Sequence, residues 1–205
     1  MGGSGVDSEG ADPHLIERRT GGTTLLSGGF LEVRRDDVLL PDGNHATREF
    51  VQHPGAVAVI PVLDDGRVVL VRQYRYPLSK ILLEWPAGKL ERGEAQLACA
   101  VRELREETGY AAREWAYAGE IHNAAAYSSE SIWLWFARGL KAGPARPDAG
   151  EFVETVVQSI HQLEALELRG ELLDVKTLIG LRWLQQVQAG HKPCAWHSAP
   201  GEPAL

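Results

Sequence analysis

The spacing of apolar residues changes several times along the chain. Phe30, Leu31 and Val33 alternate loosely with charge, and Pro41-Asp42-Gly43-Asn44 separates them from a second short stretch at 47–52. Both read as strands bounded by turn residues. The run AVAVIPVL at 56–63 is apolar at nearly every position, as in a strand covered on both faces. Asp64-Asp65-Gly66 reverses the chain into RVVLVRQYRY at 67–76, so a hairpin of these two strands is expected. From 95 to 108 the period lengthens. Leu97, Val101, Leu104 and Thr108 recur at helical spacing and predict a buried stripe, and Gly109 supplies the stop. Strands are expected at 115–121, 131–138 and 153–159, a loop at 142–150 and a short helix at 161–167. A longer helix is expected from the N-cap Asp174 to 188, burying Val175, Leu178, Leu181 and Leu184.

Residues 1–24 have no such period, are rich in Gly, Ser, Thr and charge, and are expected to be mobile. The remainder divides into an N-terminal strand pair at 25–54, a main domain at 55–190 and a tail at 191–205. At 205 residues, 44% hydrophobic and 24% charged, the chain reads as one globular domain of ordinary size or one domain with an extra arm. Its formal net charge of −7 argues against nucleic-acid and anionic-membrane binding, but leaves room for a local basic pocket for a phosphate ester. Cys99 and Cys194 have no CxxC spacing, which disfavours a disulfide framework or thiolate zinc site and fits a reducing cytoplasm. No apolar run approaches the roughly 20 residues that span a bilayer.

The segment 88–110, GKLERGEAQLACAVRELREETGY, carries the chemistry. Glu103, Glu106 and Glu107 stand at i, i+3 and i+4 and project from one side of the expected helix, with Glu94 just before it. Like charges at this spacing repel, and a divalent cation would reverse the cost. Oxygen-only ligands suit Mg²⁺ or Mn²⁺ rather than zinc. Gly88 and Gly93 permit a tight loop that can bring backbone carbonyls to the same ion.

This segment resembles the Nudix box, G-x5-E-x7-R-E-U-x-E-E-x-G-U. Gly88, Glu94, Arg102, Glu103, Leu104, Glu106, Glu107, Gly109 and Tyr110 match every fixed position. HPGAVAVIPVLDDGRVVLVRQYRYPL, LLEWPAGKLERGE and DVKTLIGLRWL extend the resemblance to the ADP-ribose pyrophosphatase branch over about 28–188. The resemblance implies an α/β fold: a Nudix α/β/α sandwich around a mixed β-sheet with an N-terminal β arm. It also implies a homodimer that exchanges N-terminal strands. The implied activity is Mg²⁺- or Mn²⁺-dependent hydrolysis of a nucleoside diphosphate sugar such as ADP-ribose.

By the same resemblance, Glu103 and Glu107 are the principal metal ligands, with Glu106, Glu94 and the Ala87 carbonyl as further ones. Arg102 is expected to orient a glutamate of the box rather than touch substrate. The general base is expected at Glu151, with Glu154 second. Arg48 and Glu49 are implied at the adenine or ribose end, Arg75 at phosphate, and Glu84 in the metal or ribose network. His122 reads as structural.

One stretch departs from the branch. The loop that usually reads P-S-P-G-Y-S-x-E is here Asn123-Ala124-Ala125-Ala126-Tyr127-Ser128-Ser129-Glu130. Loss of both prolines is expected to loosen it and to widen the choice to other ADP- or GDP-sugars. The competing reading is a non-catalytic nucleotide-sugar sensor on the same scaffold; the intact box and the lack of a helix-turn-helix segment disfavour it. Sanitation of oxidised nucleoside triphosphates is disfavoured by the N-terminal arm.

Overall fold

The computed structural model describes residues 12–148 and 150–198. The expected mobile segment falls outside it at 1–11, and the expected tail at 199–205. The chain forms two compact units, divided at His53/Pro54, with residues 124–130 joining the N-terminal one.

In the N-terminal unit, β1 (Arg18–Ser27), β2 (Glu32–Leu39) and β3 (His45–Gln52) make an antiparallel sheet in that order. Strand β1 corrects the expectation that 1–24 is mobile. Nearly every residue of β1 is exposed, so it shows no apolar period. Cross-strand polar contacts hold it instead: Arg19 pairs with Asp36 at 2.9 Å, and the Thr20 hydroxyl donates to the Asp37 carbonyl at 3.1 Å. The loop 124–130 is braced on the end of β3. Val51 N–H donates to the Tyr127 carbonyl at 2.8 Å, Ser129 N–H to the Val51 carbonyl at 3.0 Å, and His53 N–H to Ser129 Oγ at 3.0 Å. These bonds supply the restraint that the missing prolines do not.

The second unit contains β4 (Ala56–Pro61), β5 (Val68–Arg75), β6 (Lys80–Glu84), β7 (Ala87–Lys89), α1 (Gln96–Thr108), β8 (Tyr110–Ile121), β9 (Ile132–Ala142), β10 (Val153–Gln158), α2 (Ile160–Leu168), α3 (Val175–Gln188) and β11 (His197–Ser198). Two sheets form, ordered β11-β8-β9-β4-β7 and β10-β5-β6. The β4–β5 hairpin expected from the sequence does not form. The turn closes, with Leu63 N–H on the Arg67 carbonyl at 2.8 Å, but beyond a single Val62–Val68 bridge the strands part. Strand β4 runs parallel to β9 and antiparallel to β7, whereas β5 pairs with β6 and β10. Both runs are apolar at consecutive positions, and each gains neighbours on both faces by entering a different sheet.

Alternation along β4 divides the core. Ala56, Ala58 and Ile60 face Trp85, Leu163, Leu181 and Leu184, on the side of α2 and α3. Val57 and Val59 face Cys99, Ala100, Leu104 and Trp115, on the side of α1. The mixed sheet is therefore layered between helices. In α1 the buried positions are Cys99, Ala100, Leu104, Glu107 and Thr108, while Leu97 and Val101 are only half-buried. In α3, Val175 is exposed and Lys176 buried, the reverse of the expected stripe. Both corrections arise where a charged side chain has a partner inside. Beyond α3, Trp196 packs on Phe136 and lies 4.1 Å from the Arg138 guanidinium, and β11 pairs with the edge of β8. Among the described residues no helix is long and apolar enough to cross a membrane.

Candidate active site

The site starts from a rigid corner after β6. Trp85 N–H donates to Thr177 Oγ1 at 3.0 Å, and its indole N–H to the Thr177 carbonyl at 3.1 Å. These bonds pin the Trp85-Pro86 turn to α3 and present β7 beneath α1. Ala87 N–H donates to Glu107 Oε2 at 2.9 Å. At the next residue, a Cβ on Gly88 would stand 1.8 Å from Glu103 Oε1. Only a residue without a side chain lets this carboxylate lie against the strand.

Arg102 joins the acids. Its Nε and Nη2 donate to Glu94 at 2.9 and 3.0 Å, and Nη1 donates to Glu103 at 2.8 Å and Glu106 at 3.0 Å. Three carboxylates, Glu94, Glu103 and Glu106, thus converge on one guanidinium, leaving an excess of negative charge. Arg102 holds Glu94 down at about 2. Glu107 is pushed the other way, to about 8, by burial first and by the charges of Glu103 and Glu151. Burial also pushes Glu103 up, against Arg102, with Glu106 and Glu151 adding to the rise. Oxygen acids are the donor type that a hard divalent cation takes, but among the described residues no three His, Cys, Asp or Glu side chains are grouped as a metal site.

The loop after β9 lies over the same end of α1. Arg146 N–H donates to the Glu106 carbonyl at 2.9 Å, and Thr155 Oγ1 to the Glu107 carbonyl at 3.2 Å. Glu151, exposed in this loop, is close enough to raise both Glu103 and Glu107. Glu154 instead faces Arg72, its register partner on β5, in an exposed pair at 2.6 Å. Arg75 forks onto Glu84, with Nε and Nη2 each 2.7 Å from a carboxylate oxygen. Arg48 and Glu49 lie in the N-terminal unit on β3. Each is paired there, Arg48 with Glu17 and Glu49 with Arg35. A groove of about 1020 Å³ runs along the outer side of α1, between Leu97 and Val101 and the cations Lys141 and Arg146. It touches the carboxylate cluster only through Arg102 and Glu106. His122 sits apart, 3.4 Å from the Ser131 hydroxyl.

Residues 52–178 match the NUDIX domain family, and the chain belongs to that family of hydrolases. Particular relatives sharpen the placement. The chain is 38% identical to the methanol dehydrogenase activator of Bacillus methanolicus, over 85% of this chain and 96% of that one. It is 35% identical to the ADP-ribose pyrophosphatase of Bacillus subtilis over the same shares. A further ADP-ribose pyrophosphatase, from Mycobacterium tuberculosis, is 36% identical over 82% of each chain. The crystal structure of an ADP compounds hydrolase superposes with a TM-score of 0.76 at 21% identity, over 86% of this chain and 96% of that one. The fold is shared.

Reading the sequence missed Lys176, which reaches Glu84 from the start of α3 and is held there by the N-cap Asp174. One signal was available. A lysine in the first turn of a helix opposes the helix dipole and calls for a carboxylate partner.

Proposed function

We propose that this Nudix hydrolase cleaves the pyrophosphate of ADP-ribose or a related nucleoside diphosphate sugar, releasing a nucleoside monophosphate and a sugar phosphate, with Mg²⁺ or Mn²⁺. The observation that carries the reading is the convergence of Glu94, Glu103 and Glu106 on a single arginine, with Glu103 seated against Gly88 and Glu107 accepting from the neighbouring Ala87 N–H. Glu103, Glu106 and Glu107, with Glu94 and the Ala87 carbonyl, would hold the cation. A bound cation makes a water more acidic and offsets charge on phosphoryl oxygens. Glu151 accepts the proton of the attacking water, its exposed loop position leaving it free to approach. The second candidate base, Glu154, is engaged by Arg72. Arg75, its guanidinium fixed by Glu84, donates to a substrate phosphate. Arg102 orients the acids and does not meet substrate.

Arg48 and Glu49 hold the adenine or ribose end. We assign them to a homodimer with exchanged N-terminal strands. Exposed Tyr74, Tyr76, Leu78 and Ile81 at the β5–β6 turn support self-association, since so many apolar side chains in one place favour a covering surface. The setting is the cytoplasm, consistent with two unpaired cysteines.

A panel of nucleoside diphosphate sugars with Mg²⁺ or Mn²⁺, read by phosphatase-coupled phosphate release, tests the reading. ADP-ribose should yield AMP and ribose 5-phosphate; no turnover on any member refutes it. Tight binding without hydrolysis would revive the sensor, which the four retained glutamates argue against. A second reading follows from the 38% identity to the methanol dehydrogenase activator: action on a dehydrogenase. Its test is whether the chain alters the turnover of a methanol dehydrogenase.

A further inference from the structure

Four charges, two of each sign, close on one another between β5, β6 and the start of α3. Glu84 is 1% exposed and Lys176 7%. Lys176 Nζ bonds Glu84 Oε2 and, at 2.9 Å, Asp174 Oδ1. Asp174 is itself fixed, because its other oxygen caps α3 by accepting Thr177 N–H at 2.9 Å and the Thr177 hydroxyl at 2.5 Å. Glu84 in turn grips Arg75 through Nε and Nη2. Arg75 Nη1 has no hydrogen-bond partner among the described residues. The Arg75 side chain is 40% exposed, so the network has one end in the site and the other locked in a helix cap.

We propose that Lys176 is a positioning residue for hydrolysis: it anchors Glu84, which holds the Arg75 guanidinium in the orientation that offers Nη1 to a substrate phosphate. The inference rests on the reading of Arg75 as a phosphate contact. Three features support it beyond mere packing. A buried lysine in the first turn of α3 works against the helix dipole, so the helix does not account for it. The set is charge-neutral, and losing Lys176 leaves the buried Glu84 and the half-buried Asp174 facing one guanidinium. Glu84 then has one fixed partner rather than two, and the fork on Arg75 gains freedom. Among the charges acting on Arg75 are those of Glu107 and Asp174, so the same guanidinium links the carboxylate cluster with the cap.

The test compares Lys176→Met, Arg75→Ala and the double variant, by kcat/KM for ADP-ribose at saturating Mg²⁺ and by melting temperature. Arg75→Ala should reduce kcat/KM about 100-fold and Lys176→Met about tenfold, the range found when a residue supporting a site group is removed. In the Arg75→Ala background, Lys176→Met should change kcat/KM less than about twofold while lowering the melting temperature as much as it does alone. Equal losses in both backgrounds, or no loss in either, overturn the inference, because a purely structural lysine would act independently of Arg75. If Arg75→Ala leaves kcat/KM unchanged, the phosphate role of Arg75 falls and this inference with it, while the carboxylate cluster stands. If Lys176→Met does not fold, Lys176→Arg carries the test. It keeps the charge but displaces Glu84, and should lower kcat/KM several-fold at near wild-type melting temperature. Unaltered kcat/KM in that variant overturns the inference.

Discussion

Gly88→Ala adds one methyl group where β7 meets α1, and its consequences can be worked from the geometry. The new Cβ would stand 1.8 Å from Glu103 Oε1, 1.9 Å from Cδ and 2.4 Å from Oε2. Ordinary contact requires roughly 3.5 Å, so the carboxylate must retreat by more than about an ångström. The obstacle is the end of a flexible side chain rather than backbone, so the fold can absorb the change. Overpacking here should cost at most about 1 kcal/mol, the low end of the usual range. The site cannot absorb it. Glu103 would leave the 2.8 Å bond from Arg102 and the position from which it would reach a cation. A misplacement of this size costs about 100-fold in rate. The expected result is a melting temperature within a few degrees of wild type, with kcat/KM for ADP-ribose down about 100-fold and the half-saturating Mg²⁺ concentration raised about tenfold. Titrating turnover against Mg²⁺ in both proteins measures this. Wild-type turnover and Mg²⁺ dependence in Gly88→Ala would refute the role given to the glycine and to Glu103.

Chelator-treated protein should be most stable in mild acid. Glu107 sits near 8 when folded against about 4.5 when unfolded, so the folded state holds the extra proton and stability declines as pH rises between those values. Glu94, held at about 2, acts oppositely, and its contribution is lost as pH falls from about 4.5 toward 2. Melting temperatures in EDTA that stay flat from about pH 5 to 8 would contradict the assignment, and Mg²⁺ should abolish the alkaline decline. Glu107→Gln keeps an acceptor for Ala87 N–H but removes the charge. It should cut turnover about 1000-fold while matching or exceeding wild-type stability in EDTA above pH 8, as melting curves would report. Leu104→Ala empties a fully buried position between α1 and the sheet and should cost about 2–5 kcal/mol by urea denaturation, with the site intact below the transition.

The sequence reading was strongest where one residue type has one physical use. Gly109, left-handed at the end of α1, marked the helix stop within a residue, and Asp174 marked the start of α3. The glutamates of α1 were legible because helical spacing alone brings them together. Partnerships between elements were not. The runs 56–63 and 67–76 look like a hairpin because the turn between them is a good one, and nothing local says that each strand joins a different sheet. Strand β1 was invisible because it buries almost nothing. Lys176 and Val175 exchanged places because Glu84, 92 positions earlier than Lys176, draws the lysine inward. Glu151 was placed only by the resemblance, since a glutamate in a Gly/Pro-rich loop has no periodicity to reveal its aim.

The short strand β11 also has a practical consequence. By lying along Trp115 and Glu114 it occupies backbone groups that would otherwise border the mixed sheet unprotected. Trp196, stacked on the Arg138 guanidinium, acts as the latch. A version of this protein trimmed after α3 would therefore keep its carboxylate cluster yet offer a sticky, strand-hungry margin to its neighbours in solution.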